Sequence, residues 1–315
     1  MKLKYQGHAR LLRYLLDSRY RFLINSSLFG YHRMSDEKFL KKKFRYSLGY
    51  ELNLNNPQTF NEKLQWLKLY DHRPEYTTMV DKYAVKKYVA DKIGEQYIIP
   101  TLGVWDKFDD IDFEKLPNQF VMKCTHDSGG LVICRDKSKF NILTARKKIN
   151  RCIKRNYYWI GREWSYKNVK PRIIAERYME CSDSSFLKDY KFFCFNGKVE
   201  FLYLSEGLEN HNTARISYVT LDWKQADFYR NDYKPFNKLP PKPINFDKMV
   251  KLAEILSEDI PFLRVDFYEI NGKIYFGELT LYTGAGFTKF EPESADIKIG
   301  NLLKLPEKVR KSVIN

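Results

Sequence analysis

Two Asn-Gly pairs limit the folds open to this chain. Asn196-Gly197 joins the runs Tyr190–Phe195 and Lys198–Leu204, and Asn271-Gly272 joins Phe262–Ile270 and Ile274–Leu281. Asn-Gly accepts the positive φ angles of a tight hairpin turn at little steric cost. Each flanking run has the length and the β-branched and aromatic content of a strand. Further strand-like runs lie at Tyr97–Val104, Gln119–Thr125, Leu131–Cys134, Arg172–Met179 and Ala214–Thr220. Helical spacing marks Leu11–Leu16, Phe60–Leu69, Val80–Ile93, Leu143–Tyr157 and Asp247–Ser257. Thr59 stands three residues before Glu62, the spacing of a capping box that opens a helix at Phe60. Asp232–Pro243, rich in Pro, Lys and Asn, reads as a surface loop. Antiparallel hairpins mixed with helices give an α+β class.

Composition narrows the function classes. The chain has 315 residues and 43% hydrophobic content, enough for one large core or two to three lobes. No run approaches the roughly 18 apolar residues of a membrane span. The opening MKLKYQGHAR lacks the character of a secretory signal. Five cysteines, Cys124, Cys134, Cys152, Cys181 and Cys194, form no CxxC pair. That argues against zinc and for free thiols in a reducing cytoplasm. The net charge of +16 fits nucleic acid, an anionic membrane surface or acidic substrates. The basic residues are dispersed apart from one short run at Lys41–Lys43 followed by Arg45, and no RNP-type or helix-turn-helix pattern is present. Acidic small-molecule partners therefore explain the charge better than nucleic acid does.

Two stretches carry chemistry. In QFVMKCTHDSGGLVI a strand bearing Lys123 runs into a turn with Gly129 and Gly130, whose amides can approach phosphate oxygens. Most two-glycine hairpins are only turns. In RVDFYEINGKIYFGELT two strands each bring a carboxylate, Asp266 and Glu278, among apolar neighbours. Carboxylates inside a sheet are costly unless paired or metal-bound; the alternatives are exposed strand residues or a salt bridge with Arg264. The register separates these readings. A strict two-residue turn at Asn271-Gly272 pairs Asp266 with Gly277 and sends Glu278 to the opposite face, because side chains alternate. A metal site requires a shift of one residue, from a longer loop or a bulge near the turn, with Arg264 and Thr280 on the same face.

Together, the order of these pieces resembles the ATP-grasp superfamily from about Asp81 to Gly286. VDKYAVKKYV with IIPTLGVW, FVMKCTHDSGG, IIAERYM, LRVDFY and GELTLYTGAG are similar to its successive segments. NPQTFNEKLQWLKLYD, VDKYAVKKYV and KDYKFFCFNGK resemble the TupA-like branch, which is associated with cell-surface polysaccharides and often labelled glycosyltransferase. The resemblance implies two α+β lobes enclosing ATP, preceded by a basic helical extension. The implied boundaries are 1–58 for that extension, 59–118 for the helices and first strand, 119–180 for the small lobe and 181–315 for the large one.

The implied roles follow position by position. Lys82 and Lys123 hold phosphates, with Ser128, Gly129 and Gly130 as a flap over them. Glu176 contacts the adenine amino group and the Tyr178 backbone its ring. Asp189 and Lys191 lie near ribose and phosphate. Asp266 and Glu278 bind Mg2+, and Arg264 stabilises the reacting phosphoryl or tetrahedral group. Thr280 stands where many relatives carry Asn, a better metal ligand. Gly284 and Gly286 occupy the acceptor-substrate position. His126 is read as a phosphate contact or a turn residue, and His211 and Arg215 as contacts to an acidic substrate. Trp159 and Trp164 are read as core or sugar-stacking residues. The implied reaction is ATP- and magnesium-dependent joining of a carboxylate, such as an acidic sugar or glycan, to an amino acid or small amine. It implies a cytoplasmic enzyme, with contact to membrane-anchored glycan intermediates at the inner face. A glycosyltransferase and a non-catalytic glycan-binding protein remain as alternatives.

Overall fold

The computed structural model describes residues 10–28, 31–180, 187–207 and 214–307. Two antiparallel sheets organise them. The smaller contains β1 (Thr101–Trp105), β2 (Phe120–Cys124), β3 (Leu131–Cys134) and β4 (Ile173–Arg177) in the order β1-β4-β2-β3. Phe120, Met122 and Cys124 alternate inward from β2. They meet Ala145, Ile149 and Cys152, which share one face of helix α7 (Ile142–Ile153).

The larger sheet contains β5 (Asp189–Phe195), β6 (Lys198–Glu206), β7 (Arg215–Thr220), β9 (Phe262–Ile270) and β10 (Lys273–Thr280), in the order β10-β9-β5-β6-β7. Both expected hairpins are present. Asn196 and Gly197 have φ 48° and 82°, Asn271 and Gly272 have 51° and 71°, and the flanking residues pair as Phe195↔Lys198 and Ile270↔Lys273. Helix α9 (Phe246–Ser257) buries Phe246, Met249, Leu252, Ala253 and Leu256 along one stripe. That stripe covers the face bearing Phe192, Cys194, Val265 and Phe267. The short strands β8 (Tyr229–Arg230) and β11 (Phe290–Glu291) pair with each other beside this lobe.

The N-terminal helices are helical residues 10–16 (α1), α2 (Ser18–Leu28), α3 (Asp36–Leu48) and α4 (Phe60–Tyr70). Phe22, Phe39, Leu40 and Phe44 belong to the same buried cluster as the large sheet. The side chain of Arg162 is fully buried where these helices meet the short helix α8 (Tyr158–Gly161). It pairs with Asp36 at 2.9 Å and donates to the carbonyls of Tyr31 and Met34. The expected capping box is present: Thr59 Oγ1 accepts from Glu62 N at 3.1 Å, and Glu62 accepts from Thr59 N at 3.1 Å.

One expected helix starts late. Of the span Val80–Ile93, α6 takes Ala84–Ile93, while Val80 ends a separate short helix, α5 (Glu75–Val80), with the break at Asp81. Asp81 Oδ1 accepts from the amides of Tyr83 and Ala84 at 2.9 and 3.3 Å and restarts the helix. Lys82 N meanwhile donates to Thr125 O, tying the break to the end of β2. Similarly, the strand expected from Tyr97 begins only at Thr101, because Glu95–Tyr97 form a helical turn.

Candidate functional site

The face of the large sheet away from α9 carries a row of side chains across all five strands. Glu278 pairs with Asp266, Asp266 with Lys191, Lys191 with Tyr203, and Tyr203 with Tyr218. A bulge makes this possible. The turn is the strict two-residue one, and Phe276↔Phe267 keeps its register. Gly277 is then passed over, so Glu278, not Gly277, stands opposite Asp266, with Thr280 opposite Arg264. The shift needed for a shared face is thus present, but beside the carboxylates rather than near the turn. A Cβ at Gly277 would lie 3.1 Å from the Asp266 carbonyl oxygen and from the Tyr268 ring, which favours glycine as the extra residue.

The charges on this face are tightly paired. Arg264 donates to both oxygens of Asp266 at 2.7 Å and lies 3.6 Å from Glu278. Lys191 bonds Asp189 and, at 2.9 Å, Asp266. Burial works against the Lys191 ammonium, but the Asp189 and Asp266 charges outweigh it and raise its pKa. Asp189 shifts upward because its own burial exceeds the help from Lys191. Lys82 reaches across from the helix break to Glu278 at 3.0 Å. Burial opposes ionisation of Glu278, yet Lys82 and Arg264 hold its pKa down to about 2.

The opposite wall belongs to the small sheet. Val121 pairs with Glu176, so Lys123, two residues along β2, shares its face. Glu176 is held by Lys123 at 2.6 Å and by Lys86 at 2.5 Å. Burial raises its pKa less than these two ammonium groups lower it. Lys82, Lys86, Lys123, Glu176, Tyr268 and Glu278 all line one cleft between the sheets. Lys86 is a site residue that the sequence did not single out. It lies four residues after Lys82, one helical turn away, and that spacing was the available signal.

Other expected residues are placed as follows. Gly129 and Gly130 point their amides at Asp127 Oδ1, at 3.0 and 2.8 Å, and Ser128 donates to Tyr157 Oη at 3.0 Å. His126 faces inward rather than toward an anion. It is buried, with Nε2 2.9 Å from Arg155 O and 3.2 Å from Cys152 O, so it braces the turn against the end of α7. Tyr178 follows β4, and its hydroxyl accepts from Arg135 at 3.1 Å. Arg215 starts the edge strand β7 and donates to Pro235 O at 3.1 Å, away from the carboxylate pair. His211 lies outside the described residues.

Gly284 and Gly286 serve the backbone of a left-handed turn, in which Gly284, Ala285 and Gly286 have φ 55°, 53° and 66°. Gln65 donates to Gly286 O at 2.6 Å, and Lys68 donates to Ala285 O, Gly161 O and Gln65 Oε1 at 2.7, 2.8 and 3.1 Å. A Cβ on Gly286 would sit 2.3 Å from Gln65 Nε2. The turn is thus clamped from α4. Trp159 and Trp164 stack on His32 and His72, at 4.2 and 4.6 Å between ring centroids. Cys124, Cys134, Cys152 and Cys194 are free and buried.

Among the described residues no group of three His, Cys, Asp or Glu side chains is arranged around a metal position. Magnesium needs fewer: one or two carboxylates complete its shell with substrate phosphates and water. Two buried oxygens on this face, Thr280 Oγ1 and Asp189 Oδ1, have no hydrogen-bond partner. An opposed Asp266–Glu278 pair with an unsatisfied hydroxyl oxygen beside it is a donor set that fits magnesium.

A family model described as TupA-like ATPgrasp matches residues 62–304, from the capping box through α10 (Ser294–Leu302) and beyond every site residue named above. The chain belongs to the TupA-like ATP-grasp family. Its fold is the α+β ATP-grasp fold, with the N-terminal helices added. No curated protein matches the chain. Among solved structures it is similar to a D-alanine–D-alanine ligase from Bacillus anthracis complexed with ATP, at 15% identity and TM-score 0.40, covering 65% of this chain and 55% of that one. It is also similar to the D-cycloserine synthetase DcsG, at 16% identity and TM-score 0.41, covering 73% and 70%. A third is the ADP complex of the N5-carboxyaminoimidazole ribonucleotide synthetase purK, at 14% identity and TM-score 0.41, covering 79% and 58%. The chain spans little more than half the length of the first of these.

Proposed function

We propose that this TupA-like ATP-grasp protein is an enzyme that uses ATP and magnesium to activate a carboxylate and join it to an amine. The observation that supports this best is the bulge at Gly277, which sets Glu278, on the lining of a cleft with three lysines, opposite the buried Asp266. Metal chemistry needs the two carboxylates on one face, and an unbulged hairpin of the same length would not put them there.

The residues divide the work. Lys82 and Lys123 bind phosphate oxygens, and Lys86 adds a third positive charge. The amides of Gly129 and Gly130 close over the phosphates once they leave Asp127. Glu176, held by two lysines, accepts from the adenine amino group. Asp266 and Glu278 would hold magnesium, with Thr280 Oγ1 available on the same face; bound there, the ion would supply positive charge to offset that of the transferring phosphoryl group. A carboxylate oxygen of the substrate attacks the γ-phosphorus and ADP leaves. The amine then adds to the acyl phosphate, and phosphate departs as the amide forms. Arg264 lies on the face where negative charge develops in both steps and offsets it without reorganisation. No side-chain nucleophile takes part.

The carboxylate substrate is proposed to be an acidic sugar or glycan of a cell-surface polysaccharide, and the amine an amino acid or other small amine. The work would be done in the cytoplasm near membrane-anchored glycan intermediates. Incubation with ATP, magnesium, candidate carboxylates and amines tests the reading through phosphate release and product mass. Phosphate release that needs both substrates, with a product lighter by one water than their sum, is expected. Consumption of a sugar nucleotide with no ATP binding would replace the ligase by a glycosyltransferase.

A further inference from the structure

Helix α1 turns a leucine face to solvent. Leu11, Leu12 and Leu15 are each 58% exposed, and Leu16 is 82% exposed. At 3.6 residues per turn these four fall within about 140° of arc on one side of the helix. The other side is fastened down. Tyr14 Oη donates to Asn25 Oδ1 at 2.8 Å, and the Arg21 guanidinium caps the carbonyls of Tyr14 and Leu15 at 3.2 and 2.8 Å. Asp17 then starts α2 by accepting from Tyr20 N at 3.0 Å. Polar bonds thus hold α1 against α2 while its apolar side remains uncovered. Clustered exposed leucines on a built element mark a surface that meets an apolar phase.

Charge identifies that phase. Residues 10–45 hold ten Lys and Arg against three Asp and Glu, so this short stretch carries a large part of the chain's excess of +16. Arg13 borders the leucine arc and Arg10 stands further round the helix. A second copy of the chain meeting this face would bring the same positive excess against itself. An anionic bilayer satisfies both features: acyl chains cover leucines, and headgroups attract arginines. No helix among the described residues is long and apolar enough to cross a membrane, so the contact is one of lying in the surface.

We propose that α1 is an in-plane anchor that docks the protein on an anionic lipid surface. The proposal does not depend on the nucleotide site. It is tested with the full chain by co-sedimentation with vesicles of phosphatidylcholine alone or mixed with phosphatidylglycerol. Binding to the mixed vesicles, weaker at high salt, is expected. The variant Leu11→Ser/Leu12→Ser/Leu15→Ser/Leu16→Ser should lower the partition coefficient by about tenfold or more while keeping the melting temperature. Arg10→Glu/Arg13→Glu should lower it mainly at low salt. Three results would each overturn the anchor. One is no binding to either vesicle. Another is equal binding by the leucine variant. The third is a dimer in sedimentation velocity that the leucine changes abolish without altering vesicle binding.

Discussion

Glu278 is the residue on which two charges converge, Lys82 from the helix break and Arg264 from the neighbouring strand. Its pKa in the folded chain, about 2, lies below the ordinary 4.5. A depressed carboxylate pKa contributes stability above the unfolded value, and that contribution fades as the pH falls from about 4.5 toward 2. The side chain is 36% exposed, so solvent screens part of the effect. Glu278→Gln should flatten the dependence of the urea midpoint on pH in that window; an unchanged slope would show that the ion pairs add nothing. Lys123 gives a second test. Lys123→Ala should weaken ATP binding in calorimetry by about 1.5–3 kcal/mol. The melting temperature should move little, because Glu176 keeps Lys86 at 2.5 Å. Unaltered ATP affinity would place Lys123 outside the phosphate site.

At the scale of elements, local signals decided what was legible. Asn-Gly turns and the Thr59–Glu62 box are set by neighbours in the chain, and each formed as the sequence indicated. The break at Asp81 was hidden because apolar spacing continues through it; the side-chain cap that starts α6 shows only once its amides are located. His126 was open between two readings for the opposite reason. Its place in a phosphate-like turn is local, whereas its partners, Cys152 O and Arg155 O, come from the end of another element. The segment NPQTFNEKLQWLK was recognisable without its reason. Glu62 accepts from the amides of Asn53, Gln58 and Thr59 at 3.0, 2.9 and 3.1 Å, and Gln65 and Lys68 clamp the left-handed turn. Glu62→Gln should cost about 1–3 kcal/mol in denaturant unfolding, since one carboxylate oxygen acceptor becomes a donor facing amides. A loss near zero would mean that water replaces it.

For the whole molecule, residues 31–58 are part of the fold that carries the site. Arg162 is buried against them, and Phe39 lies 4.3 Å beneath its guanidinium. A chain starting at residue 59 would leave this charge and the apolar faces of α4 and α8 without cover. It should therefore aggregate or melt well below the full chain. Asp36→Ala, a milder probe of the same contact, should cost about 1–3 kcal/mol; both effects are read by thermal and denaturant unfolding. A truncated chain with full stability would make the N-terminal helices a separate attachment. The two sheets were each legible from their strands. Their approach across the cleft was not, because it depends on pairs such as Lys82–Glu278, which are 196 positions apart.

The bulge at Gly277 also separates chain length from function. Gly277 has no partner across the hairpin, so removing it alone would give an unbroken ladder that still sets Glu278 opposite Asp266. Ile274 and Phe276 would keep their inward places. Loss of Tyr275 instead would preserve the carboxylate pairing but turn Phe276 out of the core toward the site. Among relatives of this hairpin, a strand one residue shorter at this point is therefore expected to retain the acidic pair. One shorter between Lys273 and Phe276 should be found only with its apolar residues rearranged.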